Sequence, residues 1–224
     1  MIINHIKTNS INQKYIHKVW MLLICAFALS VNTTTAQISQ PDEDDEHKKS
    51  WGIHISLPHI NHFRLEPPIE QIRKTNTGFW GLELGVDYFY SSHSYLTLSG
   101  SGNADFFIPV PASPSIEGEF EIMSSAYVAL MHNSIFRRFT LGYGVTYGRN
   151  VWSLRNGKNI TGTQMREPVT ESYATIGVQT QLQYELKKKF YVGLIYRPTF
   201  IRMNAPNQYE HLISMTIGKR INTN

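Results

Sequence analysis

Two histidines in this sequence stand two residues before a serine, in His54-Ile55-Ser56 and His132-Asn133-Ser134. A serine hydroxyl becomes a useful nucleophile when a histidine within hydrogen-bond reach takes its proton and a third group orients the ring. Next-but-one residues of a β-strand share a face, so His-x-Ser is a workable spacing for acyl transfer. Other residues suggest binding. His59 and His62 in "PHINH" are spaced to meet one metal ion across a loop, His47 follows the acidic run "DEDDE", and Arg197 and Arg220 are cations suited to an anion. Cys25 is the sole cysteine.

What these residues do depends on the segments that carry them. The first 36 residues hold a basic stretch ending at Lys18, an apolar run from Val19 to Val31 and the small residues "TTA" at 34–36. This is the layout of a secretory signal peptide cleaved after Ala36. The apolar run falls short of the roughly 20 residues a spanning helix needs. Cys25 lies inside that run, behind Ile24 rather than the small residue a lipoprotein signal requires, so it is expected to leave with the leader. Thiolate catalysis, disulfides and cysteine metal sites are then excluded. Three of the 21 Lys and Arg also lie in the leader, and past it 18 face 17 Asp and Glu. The high pI of about 9.1 therefore reflects the leader, and a nucleic-acid partner is not expected. Residues 37–50 have no apolar periodicity and are expected to form a disordered tail, with no metal at His47.

From Trp51 onward the hydrophobic period is two, and eight strands are expected within residues 51–222. They begin near 51, 78, 95, 119, 138, 172, 189 and 209. In "GFWGLELGVDYFY" (78–90) Trp80, Leu82, Leu84, Val86, Tyr88 and Tyr90 share one face, and Gly81, Glu83, Gly85 and Asp87 the other. In "RFTLGYGVTYGRN" (138–150) Phe139, Leu141, Tyr143, Val145 and Tyr147 oppose Thr140, Gly142, Gly144, Thr146 and Gly148. The third strand is expected from Tyr95 to about Val110, with "SGSGN" at 99–103 as a bulge. No segment after the leader holds 18 consecutive apolar residues, so any membrane crossing must use strands.

A water-soluble barrel would put the apolar face inside and polar residues outside, yet here the second face is rich in glycine. Pointed into a narrow lumen, that face makes sense. Small residues give room there, and Glu83, Asp87, Glu119, Glu121, Arg197 and Arg220 are expected to form a structural polar network. Trp80, Tyr88, Tyr90, Tyr143, Tyr147 and Tyr196 are expected to face lipid as interfacial girdles. The links after strands two, four and six are short, and the others longer, as for periplasmic turns and extracellular loops. The expected fold is all-β, an eight-stranded antiparallel up-and-down transmembrane β-barrel. Eight strands leave an interior that side chains fill, so a diffusion pore is not expected.

Signal peptide, alternating strands, the two segments quoted above and the closing "YRPTF" and "YEHLISMTIGKRI" resemble the small outer-membrane β-barrel proteins of Bacteroidota-type bacteria, related in architecture to OmpA, OmpX and PorT-like barrels. The resemblance covers residues 51–222 and implies residence in the outer membrane of a Gram-negative bacterium. Such barrels often end on an aromatic residue; this chain ends "RINTN", and Ile217 and Ile221 are expected to serve instead. Lipid A deacylases of the PagL kind, with a His-x-Ser pair, and palmitoyl transferases of the PagP kind are the enzymatic alternative, and an accessory barrel of a secretion system the PorT-like one. His132 and Ser134 fall at an expected periplasmic turn, away from surface lipid, and His54 and Ser56 read as polar filling. The sequon "NIT" at 159–161 presumes a pathway this protein is not expected to enter. The expectation is a non-enzymatic barrel with a structural or interaction role through its loops, without metal or cofactor, whose partners are outer-membrane lipid and a membrane protein.

Overall fold

The structure is a computed structural model that describes residues 49–106, 118–157 and 165–223. The expected leader with Cys25, His47 and most of the expected tail, the sequon at 159–161 and the expected end of the third strand near Val110 lie outside the described residues. Strands β1 (Ser50–Leu65), β2 (Lys74–Gly78), β3 (Gly81–Ser91), β4 (Ser94–Ala104), β5 (Glu119–Phe136), β6 (Phe139–Asn156), β7 (Val169–Glu185), β8 (Phe190–Arg202) and β9 (Glu210–Thr223) follow one another. Each pairs antiparallel with its neighbour, and β1 closes the ring on β9 from Trp51–Thr223 to Arg64–His211. β2 and β3 are two parts of a single wall element, since β2 pairs with the upper half of β1 and β3 with the lower half. Between them Phe79 donates to the Phe106 carbonyl and Trp80 accepts from Ala104, both at 2.9 Å. The eight expected strands are thus present as an all-β up-and-down barrel.

Its polarity is inverted relative to a water-soluble barrel. Leu98, Leu130 and Val145 lie side by side in the register of β4, β5 and β6 and are 57%, 54% and 59% exposed. Glu83, Asp87, Arg197 and Glu210 are buried inside. Period-two alternation produces both faces at once, because successive side chains leave a strand on opposite sides.

Where the alternation breaks, a bulge or a turn is the cause. In β1 the register shifts at His59, between Pro58 and Ile60, and the inward residues change from His54 and Ser56 to Asn61, Phe63 and Leu65. In β8 Phe200 is skipped in the pairing with β7. Pro198 sits beside this irregularity, where a missing N–H disturbs a ladder that is already interrupted. The expected bulge at 99–103 is a regular strand instead, paired without a shift to both β3 and β5. Gly100 and Gly102 there point outward. β6 also continues past the expected end at 150, as far as Asn156.

Two glycines of β6 are required by close approach. A Cβ on Gly144 would stand 2.0 Å from the Leu130 carbonyl oxygen, and one on Gly148 would stand 2.1 Å from the Tyr127 ring. Gly144→Ala is therefore expected to destabilise the barrel by roughly 1–3 kcal/mol, because the obstacle is main chain and cannot rotate away. Gly102→Ala, with nothing within 4 Å, is expected to stay within about 0.5 kcal/mol. Urea unfolding of the two variants in lipid vesicles makes the comparison.

The links sort by end. Ser92–His93, Arg137–Arg138 and residues 186–189 form tight connections at one end, and 66–73, 105–118, 157–168 and 203–209 join strands at the other. These are called the turn end and the loop end below. The first loop spans only 66–73, because β1 and β2 extend as a paired hairpin beyond β3.

Candidate functional site

The lumen holds the chemistry that the sequence suggested. Near the turn end, Asp87 from β3 accepts from Arg220 Nε at 2.9 Å and Thr97 Oγ1 at 2.6 Å, and meets His54 Nδ1 at 3.1 Å. Arg220 also donates to the Tyr95 hydroxyl at 2.5 Å and to Gln183 at 3.2 Å. The chain of bonds continues from Asn133 to Thr97 and from Gln181 to Asn133. One level up, Arg197 donates to Glu83 at 2.6 Å and to Gln179 at 2.7 Å. His54 Nε2 lies 3.6 Å from Glu83 and so joins the two levels. Both arginines have a carboxylate partner, as buried ions must.

A third hub was not anticipated. Glu210 at the start of β9 accepts from Tyr173 and Arg202 at 2.6 Å each, from Asn150 at 3.0 Å and from the Glu66 amide at 2.7 Å. Beside it in the loop-end half of the lumen, Phe63, Leu65, Met123, Trp152, Leu154 and Leu212 pack as an apolar plug. Inward parity of Glu210 with Ser214 was readable from "YEHLISMTIGKRI". Phe63 and Leu65 were not, because the bulge at His59 reverses their phase.

Glu119 and Glu121 do not join the lumen network. They face the same side of β5 as Ser125, but stand beyond the plug at the mouth. Glu121 pairs with Lys74 at 2.6 Å and accepts from the Trp152 indole at 3.1 Å. Glu119 is exposed and takes both the Arg166 amide (2.7 Å) and its Nε (2.9 Å). The Arg166 main-chain bond, then its guanidinium, hold the Glu119 carboxyl below the usual carboxylate range. A lowered folded pKa stabilises the loop above the ordinary value of about 4.3, and that contribution disappears as pH falls through the lowered one. Arg166 amide shifts in a pH titration by NMR are expected to follow this step, and Glu119→Gln to remove it.

On the outer surface the six expected aromatics fall into two groups. Tyr88 stacks on Trp51 at 4.8 Å, and Tyr90 and Tyr143 flank His132, whose Nε2 is 2.6 Å from the Tyr90 hydroxyl, all toward the turn end. Trp80, Tyr147 and Tyr196 lie toward the loop end, where the Tyr196 and Tyr209 hydroxyls are hydrogen-bonded beside His211.

The proposed nucleophile pairs are not assembled. His54 is engaged by two carboxylates while the Ser56 hydroxyl is buried with no partner among the described residues. His132 faces outward to Tyr90. His59 stacks on Phe79, and His62 bonds Thr77 at 2.8 Å. Among the described residues no three His, Cys, Asp or Glu side chains gather as a metal site would require.

No family model matches this sequence, and no curated protein matches it. Among solved structures the chain is similar to Ail, the attachment invasion locus protein of Yersinia pestis, with a TM-score of 0.50 and 12% identity over 78% of this chain and 99% of that one. It is similar to Neisserial surface protein A (TM-score 0.44, 12% identity, 76% of this chain and 96% of that one). It is also similar to the N-terminal β-barrel domain of Pseudomonas aeruginosa OprF (TM-score 0.42, 7% identity, 78% and 100%). These are small outer-membrane β-barrels, and the likeness is one of fold.

Proposed function

We propose that this chain is an integral outer-membrane β-barrel, exported by its leader, that works by presenting its loop end to a partner rather than by catalysis or conduction. The observation that carries this reading is the inverted polarity. A closed ring with aliphatic residues outside and ion pairs inside has its free-energy minimum in lipid, where a barrel leaves no main-chain group unpaired. The outer band of β6 from Phe139 to Tyr147 has the length of a tilted transmembrane strand, about 9–11 residues, and Arg149 begins the polar wall beyond it. With Tyr95, Tyr127, Trp152 and Arg197 buried across the lumen, the interior acts as a rigid support.

The Bacteroidota-type and PorT-like identity stays part of this proposal, supported by the quoted segments. The lipid-modifying alternative is not favoured, since neither His-x-Ser pair is assembled. Outer-membrane fractionation with heat-modifiable gel migration is expected to show a folded barrel. Liposomes carrying the purified protein are expected not to swell in small sugars. Recovery from the soluble periplasm would overturn the membrane reading, and swelling would overturn the closed lumen.

A further inference from the structure

β7 stands taller than one of its neighbours. Its ladder with β6 runs up to Val169–Leu154, but its ladder with β8 stops at Thr175–Arg202, followed by one bond from the Met203 amide to the Ala174 carbonyl at 2.9 Å. In an antiparallel ladder the N–H and C=O of next-but-one residues turn to the same side. Ala174 turns toward β8, so Thr170 and Ser172 do too, and above Arg202 no described strand meets them. The following chain bends away at Asn204, whose φ is 64°. A cleft of about 610 Å³ fills this notch in the wall, bordered by Pro68, Ile69, Arg149, Met203 and Ala205.

Two charged residues line the notch, Arg149 and Glu171, and Glu171 is buried with its Oε2 accepting from the Ile69 amide at 3.0 Å. Arg149 on the outer face of β6 is held through Nε by Ser172 Oγ at 2.5 Å. Arg149 has no carboxylate partner among the described residues, which leaves it as the charge open to a ligand. Ile69 and Met203 are 75% and 43% exposed and offer apolar contact beside the edge.

We propose that this notch is a docking site for an extended peptide segment of a partner protein, added as a strand antiparallel to β7, with an acidic side chain against Arg149 and apolar side chains against Ile69 and Met203. An aligned row of donors and acceptors is matched by another main chain and not by an acyl chain, which would leave Thr170 and Ser172 unpaired. The proposal rests on the loop end being the exposed end of a membrane barrel, and it names the kind of partner that end receives.

The full barrel in phosphatidylcholine nanodiscs is titrated with a capped, fluorescent pentapeptide alternating valine and aspartate. Controls are a valine–lysine peptide and a valine–aspartate peptide with N-methylated alternate amides. The expected result is saturable binding of the first peptide alone, with slowed hydrogen exchange at Thr170 and Ser172. Arg149→Ala is expected to weaken it by up to about fivefold, as an exposed charge pair would. Ser172→Pro, which removes an N–H that no described strand uses, is expected to abolish it. Equal binding of the N-methylated or lysine peptide, or no binding, overturns the proposal. So does protection of these amides by anionic lipid in place of peptide. The N-methylated control tests it even if the proline variant does not fold, and heat-modifiable migration of the same samples reports separately on the barrel itself.

Discussion

Arg197→Met is expected to lower the unfolding free energy of the barrel by about 3–5 kcal/mol, the usual cost of breaking a buried ion pair from one side. Arg197 and Glu83 are 1% and 2% exposed. Removing the guanidinium leaves the Glu83 carboxylate with His54 at 3.6 Å as its remaining ionic partner, and it strips Gln179 of a donor. The loss comes from the stranded charge rather than from the worth of the pair. The double variant Glu83→Gln with Arg197→Met is therefore expected to recover most of the stability. Urea titrations in lipid vesicles, read by tryptophan fluorescence, measure both. A double variant as unstable as the single one would show that the pair itself holds the wall elements together.

Val145→Arg is expected to cost about 2–4 kcal/mol in a bilayer, the penalty for a guanidinium on the outer wall near the midplane. Leu130 and Val178 flank Val145 in the register, so no carboxylate is at hand to pair with the new charge. Tyr147→Arg, nearer the polar wall that begins at Arg149, is expected to cost about 1 kcal/mol or less. In a water-soluble sheet both substitutions would fall within about 0.5 kcal/mol. The gradient between the two positions is thus a test of where the protein resides, and a flat result would contradict the membrane reading.

The regular parts of this fold were legible because a strand with two different environments must alternate. "GLELGVDYFY" and "RFTLGYGVTYGR" declare both faces at once, and Glu83, Asp87, Arg197 and Arg220 follow from parity alone. What was hidden lies at points where parity fails or carries no solvent information. The bulge at His59 reverses the phase of β1 and brings Phe63 and Leu65 inside, which no count of alternating residues reveals. Gly100 and Gly102 face outward because a glycine fits either side. Glu119 and Glu121 have the right parity but the wrong height, and period two says nothing about how far along the barrel a residue stands. Arg202 is the last residue of β8, where a strand pattern runs out into a loop, so its pairing with Glu210 stayed out of sight.

The closing seam between β1 and β9 has a kinetic consequence. It joins the first strand to the last, so no shorter piece of the chain can form a ring, and the most distant contacts are the ones that complete the wall. Until β9 arrives, β1 and β8 present unpaired edges that invite pairing with other chains. Contacts of such long sequence separation also form slowly. A nascent chain of this kind must reach its destination unfolded, and truncating the final strand is expected to yield aggregates rather than a smaller barrel.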